Sequence, residues 1–134
     1  MTSRRIIRLS GPDAEPFLQG LVTNDIARLS DGAVYAALLT PQGKYLSDFF
    51  LVRDGNTILL DVAEMQADDL MRRLAMYKLR ADVQIEPAEL NVQRGTGPKP
   101  EGAVDDPRHP ALGWRLYTDA PEGDDGTDWD AIRV

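Results

Sequence analysis

Three apolar segments joined by short turns constrain the fold of this chain more than any other feature. The segments are 33–39, 46–52 and 57–62, and each connection is much too short for a crossover between parallel strands. Pro41 and Gly43 favour a tight turn between the first two segments. The sequence therefore predicts three consecutive strands that pair as an antiparallel meander.

Two main helices are expected beside these strands. In the segment 64–78, apolar residues recur at steps of three and four and predict an amphipathic helix packed on the core. A shorter helix is expected to begin at Ser10 as its cap, with Pro12 in its first turn, and to run to about Leu21. Four further strands are predicted, at 4–9, 80–86, 90–94 and 112–118.

The order of these elements indicates the α+β fold class, with an antiparallel sheet and two main helices, because strands and helices do not alternate regularly. Residues 1–95 have a net charge of −2 and are predicted to form one compact core. Residues 96–134 have a net charge of −5 and contain five of the nine prolines. This stretch is predicted to be an acidic loop, rich in proline and glycine, that holds the strand 112–118 and the start of a further segment.

The composition excludes several kinds of site. The chain has no cysteine, so it offers no thiolate for an iron–sulfur cluster or a zinc ion, and its single histidine, His109, precludes a site with several histidines. The net charge of −7 argues against direct nucleic-acid binding. No segment is apolar over the length of a membrane span or a secretory signal, so no membrane contact is expected and a cytoplasmic location is predicted.

Two short polar clusters are the candidates for a functional site. Asn24 and Asp25 follow the first predicted helix and offer donors and acceptors of short reach, although such residues are also ordinary turn and capping residues. Asp48 lies inside an apolar strand, where a carboxylate faces solvent, pairs with a cation or serves a ligand. Lys44 is four residues away and, at the strand period of two, on the same face, so it is a candidate partner of Asp48, with a solvated strand edge as the alternative.

The order of four motifs resembles the folate-binding YgfZ family. The motifs are FLQGLVTNDI at 17–26, YAALLTPQGK at 35–44, LRADVQI at 79–85 and DPRHPALGWR at 106–115. This family is related to the glycine-cleavage T-protein, a tetrahydrofolate-dependent aminomethyltransferase. Its members act in the maturation or repair of iron–sulfur clusters and, in bacteria, support tRNA-modifying iron–sulfur enzymes. The resemblance implies a truncated, N-terminal portion of that fold, without the family's cysteine motif and C-terminal barrel.

The resemblance also implies a tetrahydrofolate cavity bordered by Asn24, Asp25, Lys44 and Asp48. An aspartate doublet of the T-protein relatives corresponds to residues 47–48, where the first member is a serine. No catalytic residue is therefore assigned, and the chain is expected to bind folate rather than to act as an enzyme by itself. With no cysteine and one histidine, no metal site is assigned either.

Two pairs of side chains beside this cavity are candidates for further folate contacts. Arg80 or Lys44 would meet the glutamate tail of the folate, because both are cations that can bind a carboxylate. Tyr35 and Tyr45 are candidate stacking rings, with sheet packing as the alternative for each.

Three functions remain open from the sequence. The first is a folate-binding module of an iron–sulfur assembly protein, with iron–sulfur clients or assembly proteins as partners. The second is a folate-dependent aminomethyltransferase of the glycine-cleavage type. The third is a protein-interaction domain with a vestigial folate site, in which the acidic segment 101–130 docks a basic partner. Self-association is also expected, through apolar surface that truncation would expose.

Overall fold

The computed structural model describes residues 3–39, 42–120 and 123–124. The chain divides into two compact units, Met1–Ala88 and Glu89–Val134. The division lies before the strand predicted at 90–94, whereas the sequence predicts a division after residue 95. The α+β class and the antiparallel sheet that the sequence predicts are confirmed in these units.

The first unit contains a five-stranded antiparallel sheet. Its elements are β1 (Arg4–Ser10), α1 (Ala14–Gln19), a 3₁₀ helix (Ile26–Asp31), β2 (Val34–Leu39), β3 (Tyr45–Asp54), β4 (Thr57–Ala63), α2 (Glu64–Tyr77) and β5 (Gln84–Pro87). The strand order is β2-β3-β4-β1-β5, and every neighbouring pair is antiparallel. The predicted meander is therefore β2-β3-β4, while β1 adds to β4 from earlier in the chain.

One face of this sheet forms the main core with the helices. Strand β3 contributes Phe49 and Leu51, which are fully buried. Helix α2 packs on the core through Ala67, Leu70 and Leu74, so the predicted apolar stripe is confirmed. Each buried leucine or phenylalanine side chain of this core stabilises the fold by roughly 1.5–3 kcal/mol.

The start of the first helix differs from the prediction. Ser10 is the last residue of β1 and pairs with Gln84 of β5, so it is part of a strand and not a helix cap. Helix α1 begins at Ala14 after Asp13, whose side chain instead accepts a hydrogen bond from the backbone nitrogen of Asp82 at 2.7 Å. The helix also ends at Gln19, earlier than predicted, because Gly20 occupies its C-terminal cap.

Replacing Gly11 with alanine is expected to lower the free energy of unfolding by about 2 kcal/mol. Gly11 has a φ of +108°, and a Cβ there would overlap the backbone carbonyl of Asp82. Gly20→Ala is the matched control, since φ is −77° and a Cβ would meet no atom closer than 3.7 Å. Urea denaturation followed by circular dichroism measures both variants. Equal losses in the two would contradict this account of Gly11.

The second unit contains a four-stranded sheet. Its elements are β6 (Asn91–Gly95), β7 (Val104–Asp105), a 3₁₀ helix (Pro110–Leu112), β8 (Trp114–Thr118) and β9 (Gly123–Asp124). The order is β7-β8-β6-β9, with β6 and β8 antiparallel and β9 parallel to β6. Strands β6 and β8 correspond to the predictions at 90–94 and 112–118.

No helix among the described residues is long and apolar enough to span a membrane. The part of the acidic segment that contains Asp125, Asp128 and Trp129 lies outside the described residues, so the docking role predicted for it stays a prediction.

Candidate functional site

The candidate site lies on the face of the first sheet that is opposite the main core. Because side chains alternate along a strand, the neighbours of Phe49 and Leu51 on β3 point away from the core. The same alternation places residues of β1, β2 and β4 on this side. We call it the Asp48 face and define it by Arg4, Tyr35, Asp48, Phe50 and Asp61.

Asp48 is held by two tyrosine hydroxyls. The hydroxyl of Tyr45 donates to Oδ1 at 2.8 Å, and the hydroxyl of Tyr35 donates to Oδ2. Each carboxylate oxygen can accept more than one hydrogen bond, and each hydroxyl oxygen keeps its lone pairs. Since both hydroxyl protons point to Asp48, the cluster offers acceptors to a ligand. It suits a group with N–H donors.

A β-bulge brings Tyr45 to this cluster. Leu38 pairs with Ser47, but the next pair is Leu39 with Tyr45, so Leu46 is an extra residue in β3. A bulge changes which face the following side chains occupy. Leu46 accordingly packs against the main core, and Tyr45 reaches Asp48 although the two are three residues apart.

The same bulge corrects the prediction for Lys44. A regular period of two would put Lys44 on the Asp48 face, but β3 begins only at Tyr45 and its alternation changes at Leu46. Lys44 is exposed, and the hydrogen-bond donors to Asp48 are the two tyrosines in place of the predicted lysine. The ligand role predicted for Lys44 stays a prediction.

A buried ion pair lies on the same face, and neither of its residues was among the predicted site residues. The Nε of Arg4 is 2.7 Å from Oδ1 of Asp61, whose side chain is 0% exposed, and Nη2 of Arg4 donates to the Asp61 carbonyl at 2.9 Å. The Arg4 guanidinium carbon lies 5.7 Å from the centre of the Phe50 ring. Asp61 interrupts an apolar strand just as Asp48 does, so the same signal would have found it.

The Phe50 ring lies between the Asp48 cluster and the Arg4–Asp61 ion pair and contacts both Tyr35 and Arg4. The rings of Tyr35 and Phe50 have centroids 5.2 Å apart and are inclined at 50°. This tilted contact fixes the Tyr35 ring from one side.

Arg80, the other predicted partner of a folate tail, is exposed and lies between α2 and β5 in the chain. The folate contact predicted for it stays a prediction.

Asn24 and Asp25 are engaged in contacts within the chain. The side chain of Asp25 caps the 3₁₀ helix by accepting from the backbone nitrogen of Ala27 at 3.0 Å. The Asn24 side chain donates to the carbonyl of Tyr35 at 3.0 Å. The Asp25 contact matches the capping alternative that the sequence left open, whereas Asn24 contacts the edge strand β2. The direct folate contacts predicted for both residues stay predictions.

The comparisons with known proteins divide into relatives by sequence and a neighbour by structure. No family model matches the chain. It is 37% identical over 134 aligned residues to the mitochondrial iron–sulfur cluster assembly factor IBA57 homolog of Pyricularia oryzae, covering 88% of this chain and 34% of that protein. It is 31% identical to mitochondrial IBA57 of Homo sapiens, covering 97% of this chain and 47% of that protein. The chain thus spans a third to just under half of these relatives.

Among solved structures, the chain is similar in fold to the glycine cleavage system aminomethyltransferase T from Bartonella henselae. The TM-score is 0.60 at 23% identity, over 66% of this chain and 25% of that one. This likeness confirms the predicted similarity to the T-protein fold.

The predicted cytoplasmic location is wrong, since the relatives found by sequence are named as mitochondrial. The prediction rested on the lack of a secretory signal and a membrane span, which does not distinguish cytoplasm from mitochondria.

Proposed function

Since the homologues of this chain are IBA57 iron–sulfur cluster assembly factors of the YgfZ-type family, we propose that it serves iron–sulfur cluster assembly by binding a tetrahydrofolate. It does so as a binding module without a catalytic step of its own. Its clients include iron–sulfur enzymes that modify tRNA. The chain has no cysteine, so any thiolate ligand of a cluster comes from elsewhere.

The observation that carries this proposal is the Tyr35–Asp48–Tyr45 cluster. A reduced pterin has an edge rich in N–H donors, and a carboxylate whose other bonds come from fixed hydroxyls can accept from two of them. Hydrogen bonds from both tyrosines hold the carboxylate in one orientation before the ligand arrives. Such preorganisation lowers the cost of ordering the site on binding.

The neighbouring position favours binding over catalysis. Ser47 occupies the first place of the doublet that the resemblance implies, and its hydroxyl donates to Oε1 of Gln66 on α2 at 2.8 Å. It is therefore turned to the helix side of the sheet and is 4% exposed. Asp48 is the only member of the pair on the Asp48 face. The other carboxylate of this face, Asp61, is fully buried and paired with Arg4. Asp48 therefore supports ligand recognition, and residue 47 provides no second acid beside it for a transfer step.

Isothermal titration calorimetry with 5-formyltetrahydrofolate tests the proposal. Wild type is expected to bind saturably, and Asp48→Asn is expected to weaken the affinity at least tenfold, because an amide replaces one acceptor with a donor that opposes the ligand N–H groups. Asp54→Asn, an exposed position on the same strand, is the control and should bind as wild type.

Two results would overturn the proposal. One is no saturable heat with the wild-type chain at millimolar folate. The other is equal affinity of wild type and Asp48→Asn, which would place any folate away from this cluster. Circular dichroism of each variant checks that the fold is unchanged.

A further inference from the structure

The segment that precedes the 3₁₀ helix lies along the outer edge of β2. Val22 bridges to Leu38, the backbone nitrogen of Thr23 donates to the carbonyl of Ala37 at 3.1 Å, and Oγ1 of Thr23 accepts from the nitrogen of Ala37 at 3.0 Å. β2 is an edge strand of the sheet. Backbone and side-chain groups of this segment thus take the place of a neighbouring strand.

Asn24 extends this edge pairing to the residue that contacts Asp48. Its Nδ2 donates to the backbone carbonyl of Tyr35 at 3.0 Å, while its Oδ1 accepts from the nitrogen of Asp25 at 2.8 Å and from Nη1 of Arg28 at 3.3 Å. Two donors at the oxygen fix which end of the amide faces Tyr35. The amide is half-buried, and it links the loop directly to the backbone of the site.

Gln19 at the end of α1 holds this loop from the other side. Its Oε1 accepts from the backbone nitrogen of Ile26 at 2.8 Å, and its Nε2 donates to the carbonyl of Asn24 at 3.4 Å. The backbone of Asn24 is therefore tied to α1 while its side chain is tied to β2. A chain of contacts runs from Gln19 through Asn24 to Tyr35 and Asp48.

We propose that Asn24 is a positioning residue, which sets the backbone of Tyr35 so that the Tyr35 hydroxyl meets Asp48. This inference rests on the proposed folate function for its effect on a ligand. In this proposal Asn24 does not contact the ligand itself and affects ligand binding only through Tyr35. The motif at 17–26 then has one structural role, which is to hold α1, the following loop and β2 together beside the site.

The first test needs no ligand. Ring resonances of ¹³C-labelled tyrosine are compared among wild type, Asn24→Asp and Ser30→Ala, and Tyr35→Phe assigns the Tyr35 signal. Asn24→Asp is expected to shift the Tyr35 signal, because it removes the donor to the Tyr35 carbonyl. Ser30→Ala removes a nearby hydrogen bond, from Ser30 to the carbonyl of Ala27, and should leave that signal in place. An unmoved Tyr35 signal in Asn24→Asp would overturn the proposal.

The second test is a double-mutant cycle of affinity for 5-formyltetrahydrofolate. Asn24→Ala is expected to weaken binding about tenfold with Tyr35 present and less than about twofold in the Tyr35→Phe background, since residues acting through one another are not additive. Equal factors in both backgrounds would refute action through Tyr35. If wild type binds no folate, the proposed function fails, and the resonance test alone decides whether Asn24 positions Tyr35.

Discussion

Replacing Arg4 with methionine is expected to lower the free energy of unfolding by about 3 kcal/mol. The side chain of Asp61 is fully buried, and Arg4 gives it both a charge-assisted hydrogen bond at 2.7 Å and a second bond at its carbonyl. Without the guanidinium, a carboxylate remains in a site that water does not reach. Methionine keeps much of the packing against Phe50, so the loss measures the missing charge.

Arg5 on the same strand supplies the matched control. It pairs with Glu64 and Asp68, but these carboxylates are 45% and 83% exposed. Exposed ion pairs contribute between zero and about 1 kcal/mol, so Arg5→Met is expected to cost less than that. Urea denaturation followed by circular dichroism compares the two variants under the same conditions.

A double replacement distinguishes the charge from the packing. Arg4→Met with Asp61→Leu removes both partners and is expected to recover most of the stability, because apolar pairs often replace buried ion pairs without loss. A double variant as unstable as Arg4→Met alone would show that the loss comes from packing or from other partners of Asp61. Similar losses for Arg4→Met and Arg5→Met would show that burial of Asp61 is not the cause.

The parts of the fold that the sequence predicts correctly depend on contacts between neighbours in the chain. The β2-β3-β4 meander follows from apolar runs and short turns, and α2 follows from a stripe at helical spacing. The first helix was placed too early because Ser10 has a partner in β5, more than 70 residues later. Pairing over that distance extends β1 to Ser10, whose side chain the sequence would otherwise assign to a cap.

The candidate site was predictable only in part, for a similar reason. Asp48 stands out as a charge in an apolar strand, and the structure gives it partners on the expected face. The identity of those partners depends on the bulge at Leu46, which reflects how β3 registers with β2 and leaves no mark in the local pattern. A strictly regular strand favours Lys44, whereas the observed strand brings Tyr45.

Asn24 and Asp61 show two other limits of sequence reasoning. An asparagine after a helix is equally typical of a cap, an edge contact and a ligand site, and only its partner at Tyr35 distinguishes them. Asp61 is as visible as Asp48, but its partner Arg4 is 57 residues away, so a local search finds no cation for it. Charged residues inside apolar strands therefore need a search over the whole chain.

Replacing Arg108 with methionine is expected to lower the stability of the second unit by about 2–3 kcal/mol at pH 7. The side chain of Asp106 is 0% exposed. It accepts from the backbone nitrogen of Arg108 at 2.9 Å, from Nε at 3.0 Å and from Nη2 at 2.7 Å. The backbone bond survives the replacement, while both guanidinium bonds are lost.

This loss is expected to depend on pH in a defined direction. Burial by itself would raise the pKa of Asp106, but the hydrogen bonds and charge of Arg108, together with the charge of the buried Arg115, outweigh it and hold the pKa below its ordinary value of 3.8. A lowered folded-state pKa contributes stability that is complete above the unfolded value and is lost as pH falls through the folded value. The difference between wild type and Arg108→Met should therefore be largest near neutral pH and shrink below about pH 4.

Tryptophan fluorescence during urea denaturation can measure this difference from pH 3 to pH 7, because Trp114 and Trp129 both belong to Glu89–Val134 and Met1–Ala88 contains no tryptophan. Lys99→Met is the matched control, since Lys99 pairs with Asp105 at 3.4 Å and the two side chains are 48% and 80% exposed. It is expected to cost less than about 1 kcal/mol throughout. A loss for Arg108→Met that stays constant down to pH 3 would mean that the arginine stabilises the loop by packing, independently of the charge on Asp106.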